Sequence, residues 1–434
     1  MKRQFYKYVS QNVAGMIGVS VYILADTFFI SVCAGANGIT VLNLALPIYG
    51  LIFAIGSMIG VGSATRYAIR KAQGQKDTDY YFTQAILWDL ILGIPFMLLG
   101  IFAPEKVLWF MGADELIMEL GKEYVKIFMA ATPLFMMNYV FTSFARNDQA
   151  TTIAMIGSIS GSLFNIVFDY LFMFPMGLGL TGAALATMCS PIVTSLVCCI
   201  HYFGKKNQVR FRWKRPSVRQ LFFCCQLGVS AFVGEISSAV TTVVFNLLIL
   251  GIAGNVGVAA YGVVANLSLI AMAIFNGISQ GVQPLISTSY GHGKQKEVSL
   301  FLRLGLKVSL ITEGILVAIA WVWTDFLIGI FNSEGNKTLL YYAQDGMRLY
   351  FLGYLFAGVN ILLVGYFAAT ARAKQAFIAS ILRGALAIVL CAVVMAKIWG
   401  MNGVWLSFLA SEIITFAAIL MMKYVKKPIR NVRN

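Results

Sequence analysis

The chain has 434 residues, of which 59% are hydrophobic and only 12% charged, with a formal net charge of +15. So apolar a composition excludes a soluble globular protein. The basic residues are spread over alternate loops and not clustered on a soluble domain, which excludes nucleic acid as a partner.

Apolar runs of about 20 residues, each long enough to cross a bilayer core, recur along the whole length. Twelve spans are predicted, near 10–33, 42–66, 82–103, 124–145, 152–174, 180–203, 222–251, 258–286, 301–323, 344–370, 375–397 and 402–424. No stretch resembles a cleavable signal peptide, because the first span is followed by more spans. The seven cysteines include two adjacent pairs and no Cys-x-x-Cys spacing, and they read as small buried hydrophobes.

Charge orients the spans. The N-terminal tail, the even-numbered loops and the C-terminal tail hold 25 Lys and Arg, whereas the odd-numbered loops hold six, together with eight acids. Both termini are therefore expected in the cytoplasm of a multi-pass protein of the cell inner (plasma) membrane. The most basic loop, Lys205–Arg219, lies at the midpoint of the chain. It reads as a linker resting on anionic headgroups, dividing an N-lobe (1–203) from a C-lobe (222–434) across residues 204–221.

The two halves look like repeats. Gly62 and Gly74 recur as Gly281 and Gly293, both 219 residues on. FTSFARNDQA (141–150) recurs as FAATARAKQA (367–376) at an offset of 226, and GLTGAALATMCS (179–190) as GMNGVWLSFLAS (400–411) at 221. Six spans per half is an even number, so the halves share one orientation, and such parallel repeats place the substrate path between them. The expected fold is an all-α membrane protein of twelve transmembrane helices in two pseudo-symmetric six-helix lobes. Pro47, Pro95, Pro133, Pro191 and Pro284 fall inside apolar runs, where each removes a backbone hydrogen bond and permits a kink.

Ionisable groups at membrane depth are costly and mark function. Asn165 and Asp169 share one face of span 5 at i and i+4. Counting inward at 1.5 Å per residue, Asp26 of span 1, Asp169 and Thr187 of span 6 all lie roughly 8–10 Å below the outer edge of the core. Two carboxylates, an amide and a hydroxyl at one level are suited to share a proton or to bind Na⁺, so Asp26, Asn165, Asp169 and Thr187 are the candidate coupling site. Glu235 in span 7 is a candidate substrate or cation site of the second half. Glu313 and Glu412 are expected to pair structurally, with Arg383 or Lys307 as partners, and Asp89 is left open. The two histidines, His201 and His292, sit at span ends in different halves, and no hydrolase, metalloprotease or nucleotide-loop pattern occurs, so no enzyme and no bound cofactor are expected.

The runs YILADTFFIS (22–31), IGVGSATRYAIRKAQGQ (59–75) and NIVFDYLFMFPMGLGLTGAALAT (165–187), with the repeat offsets, resemble multidrug and toxic compound extrusion (MATE) transporters of the multidrug efflux branch. The resemblance implies two six-helix lobes around a central cavity and export of lipophilic organic cations in exchange for H⁺ or Na⁺; a monomer is expected. It also assigns the site to Asp26, Asn165, Asp169 and Thr187. The chain departs from the family in having Tyr170 where Pro is usual and Ile23 where Asn is common, and no acid within 349–371 to partner Glu235 in a sodium site. The competing expectation is a lipid-linked oligosaccharide or polysaccharide flippase of the same superfamily. Against it, the only mid-span cations are Lys307 and Arg383.

Overall fold

A computed structural model describes residues 1–205, 207–331 and 336–424. Lys206 of the basic linker, Glu334 and the basic tail expected at 425–434 lie outside the described residues. The first half contains α1 (Lys2–Gly35), α2 (Asn37–Ala72), α3 (Tyr80–Phe102), α5 (Thr151–Met173) and α6 (Gly179–Tyr202), with α4 formed by Glu115–Ala130 and Thr132–Asn147 at a bend of 43°. In the second half Val218–Gly291 breaks at Gly254 into α7 (218–253) and α8 (255–291). Then come α9 (Gln295–Val322) and α10, Lys337–Phe351 and Tyr354–Ala369 bent by 46°. The last stretch breaks at Gly400 into α11 (373–399) and α12 (401–424), with a π-helical turn at Leu382–Leu386. The described residues thus form twelve spans.

Several helices begin before their apolar runs do. α4 starts at Glu115, not near 124, and α10 at Lys337, not near 344, because a polar first turn continues the helix past the hydrocarbon. Asp114 caps α4 by accepting from the Ile117 N–H at 2.8 Å, and Asn336 caps α10 by accepting from Thr338 and Leu339. Pro133 opens the second piece of α4, which explains that bend; Gly353 stands at the bend of α10.

The backbone repeats as the sequence does. Gly35 and Gly254 (φ 57° and 63°), Gly74 and Gly293 (75° and 73°), and Gly179 and Gly400 (55° and 58°) are positive-φ pairs at equivalent places, a conformation glycine adopts without strain. The same comparison corrects one register. Gln149 (φ 65°) corresponds to Ala371 (φ 57°), and the helix starts Thr151 and Ala373 correspond likewise, so this part repeats at 222 and not 226. What recurs there is the turn between two helices, not the lettered match.

Each lobe has its own buried core. One gathers side chains from Ile30 to Val209; the other gathers Phe245 to Ile419, with Phe5, Tyr8 and Val9 of α1 added. The lobes meet where α1 and α2 lie against α7 and α8. A Cβ on Gly277 would fall 2.6 Å from Val13 Cα, and one on Gly281 2.8 Å from Val9 Cα, so only glycine permits this approach. Gln283 donates to Thr65 Oγ1 (3.1 Å), Arg66 donates to the Phe223 carbonyl (2.6 Å) and lies over the Phe223 ring, and Arg146 donates to Gln280. All these contacts lie toward the end of the bundle that carries the basic loops.

Candidate cation-coupling site

Small residues bring the site helices together. Gly182, Ala183, Ala184 and Ala186 of α6 are buried, and a Cβ on Gly182 would fall 2.8 Å from the Phe172 carbonyl carbon of α5. Lower down, Ser190 donates to the Gly161 carbonyl (2.9 Å) and Thr194 to the Gly157 carbonyl (3.1 Å), stitching the same two helices. This packing explains why an apolar LTGAALAT run follows the polar face of α5.

At the far end from the basic loops, three helices deliver oxygen atoms to one place. Asn165 and Asp169 are fully buried and Asp26 is 8% exposed. The carboxyl groups of Asp26 on α1 and Asp169 on α5 are neighbours that act on each other electrostatically. Asn165 Nδ2 donates to Thr187 Oγ1 of α6 at 3.3 Å. Asp26 Oδ1, both Asp169 oxygens and Asn165 Oδ1 find no protein donor. Buried acceptors left unsatisfied cost about 1–3 kcal/mol each, so the cluster calls for something positive. Four acceptor oxygens with no donor fit either a proton held between the carboxyls or a hard monovalent cation. Tyr22, one turn before Asp26, and Tyr49 and Tyr124 lie within electrostatic reach of it.

The other singled-out acids fall elsewhere. Glu235 on α7 is half-buried and lies within electrostatic reach of Tyr22 and Tyr139, residues of the opposite lobe. Asp89 on α3 is fully buried with neither oxygen bonded, near Cys225 and apart from the Asp26 group. Glu412 pairs with Arg383 (2.8 Å) and accepts from Asn360 (2.7 Å). Glu313 accepts from the Val359 N–H at 2.8 Å, where α10 continues past its bend. All seven cysteines are free.

One residue was missed in the sequence reading. Asp148, in the turn after α4, accepts from His201 Nε2 (2.9 Å), Lys71 Nζ (3.1 Å), Tyr67 Oη (3.1 Å) and the Gln208 N–H (2.9 Å). Burial pushes its carboxyl up, but these donors outweigh burial and hold it below the ordinary carboxylate value. The only signal available was an acid two residues after Arg146 in a short polar turn.

A family model described as MatE matches residues 13–171 and 231–393, one segment in each lobe. The chain belongs to the MatE family. It is therefore a transporter and not an enzyme. Among curated relatives, the multidrug export protein MepA of Staphylococcus saprophyticus is 27% identical over 410 residues, 93% of this chain and 89% of the relative. MepA of Staphylococcus aureus (strain NCTC 8325 / PS 47) is 25% identical over 416 residues with the same coverage. Among solved structures, an outward-facing multidrug resistance MATE transporter superposes with a TM-score of 0.90 at 21% identity, over 97% of this chain and 94% of that one. A transporter of the MOP superfamily from Pyrococcus furiosus, titled for the reverse polarity of its binding pocket, gives a TM-score of 0.88 at 21% identity over 97% and 95%. The MatE fold, with two six-helix lobes around a central cavity, is that predicted from the sequence.

Proposed function

We propose that this MatE chain is a secondary active antiporter that exports lipophilic organic cations in exchange for H⁺ or Na⁺. The observation that carries the reading is the pairing of the neighbouring Asp26 and Asp169 carboxyls, buried near Asn165 with Asp26 Oδ1 and both Asp169 oxygens lacking a protein donor. Loading the pair with a proton or Na⁺ removes the electrostatic strain between α1 and α5. Unloading restores it, so ion binding biases a two-state element. Export of drugs by the MepA relatives supports the substrate class. So does Glu235 within electrostatic reach of Tyr22 and Tyr139, an acid and two aromatic rings being the chemistry that holds an organic cation.

In this proposal the basic end is cytoplasmic, the chain sits in the plasma membrane as a monomer among its lipids, and residues 204–221 link an N-lobe (1–203) to a C-lobe (222–434). The flippase alternative gains nothing: Arg383 is committed to Glu412 and Lys307 is on an exposed face of α9. The test is gradient-driven efflux of a fluorescent lipophilic cation from proteoliposomes. Asp169→Asn is expected to abolish it; transport at the wild-type rate rejects the site.

A further inference from the structure

Between α9, α10 and α12 the second lobe carries a groove of about 270 Å³ with an apolar lining that includes Leu302, Leu306, Leu310, Val359, Leu363 and Ile419. The three leucines recur every four residues, so the groove runs about 12 Å along α9. α9 begins at the basic end of the bundle and α10 and α12 finish there, which places the groove in the half of the membrane nearest the basic loops.

Cations stand next to several of its lining residues. Tyr366 lines the groove, and the guanidinium of exposed Arg372 lies 5.8 Å from the centre of its ring. Arg303 and Lys307 follow Leu302 and Leu306 directly on α9, and both are exposed. Among the described residues no acidic side chain pairs with Arg303, Lys307 or Arg372. Cations on a lipid-facing span are costly unless an anion reaches them or their stems carry them to the interface. Only an amphiphile satisfies both features at once: a hydrocarbon chain for the groove and a negative headgroup for the rim.

We propose that this groove is a binding site for an anionic glycerophospholipid of the leaflet at the basic end. One acyl chain lies along Leu302, Leu306 and Leu310, and the phosphate sits between Arg303 and Arg372. The full-length protein in phosphatidylcholine nanodiscs, doped at equal mole fraction with phosphatidylglycerol or phosphatidylcholine bearing a diazirine on the acyl chain, provides the test. After illumination, adducts are mapped by peptide mass spectrometry. Phosphatidylglycerol is expected to label the groove segments of α9 and α12 about tenfold more than phosphatidylcholine. Arg303→Gln with Arg372→Gln is expected to bring the two probes level, and either single substitution, expected to lower the ratio several-fold, serves if the pair does not fold. Leu306→Trp, which fills the groove and leaves the charges, is expected to remove both probes. Equal labelling by the two lipids, or enrichment that survives loss of the arginines, overturns the proposal.

Discussion

Asp148 binds together α2, α6, the turn after α4 and the central linker through one carboxylate. Its donors come from 53 to 81 residues away in the chain. Removing one member of so buried a charged network typically costs about 3–5 kcal/mol; with Lys71 31% exposed at its side chain, about 2–3 kcal/mol is expected for Asp148→Asn. Because its carboxyl is held below the ordinary value, the stabilisation is complete above about pH 4 and is lost as pH falls through the folded value. Thermal unfolding in detergent should therefore show wild type above the variant at neutral pH, with the gap closing in acid. A gap independent of pH would mean the charge contributes nothing. The cluster of Asp26, Asn165, Asp169 and Thr187 was legible as a candidate because oxygen-bearing side chains inside apolar runs stand out by their cost, and depth counting placed them level. Asp148 was not, since a carboxylate in a polar turn looks like ordinary loop and its donors are set by tertiary approach alone.

At the scale of elements, hydropathy located every span, yet not where helices extend into polar turns or bend. Those features depend on caps such as Asp114 and Asn336 and on Pro133, whose effects do not change the apolar count. The repeat was readable from glycines because a positive φ needs that residue; Gln149 and Ala371 adopt it against preference, so letters misled by four positions. The seam between lobes is the element most exposed to a small change. Gly281→Val forces α8 away from Val9, and overpacking of this kind costs about 1–3 kcal/mol. Spin labels at Gln75 and Lys294, exposed just past the ends of α2 and α8, should report a longer and broader distance in the variant. An unchanged distance would show that the seam yields without opening.

For the whole molecule, the asymmetry of charge sets the side on which the seam lies. With the native cysteines replaced, Gln75→Cys should react with an impermeant maleimide only after the membrane is permeabilised, and Gly112→Cys in intact cells. The reverse pattern would invert the topology and with it the direction of transport. In the proposed mechanism the first lobe holds the ion site, Glu235 of the second lies within electrostatic reach of Tyr22, and the two are joined by α1, which carries both Tyr22 and Asp26. Antiport requires that ion and organic cation weaken each other's binding by the same factor. The most direct measurement is titration of a fluorescent lipophilic cation against the purified protein, across pH without Na⁺ and across Na⁺ at fixed pH. Affinity is predicted to fall about tenfold as one of the two ions is raised, and to stop responding in both Asp26→Asn and Asp169→Asn. Wild-type affinity indifferent to both ions, or a response that persists in both variants, would contradict an ion site at this carboxyl pair.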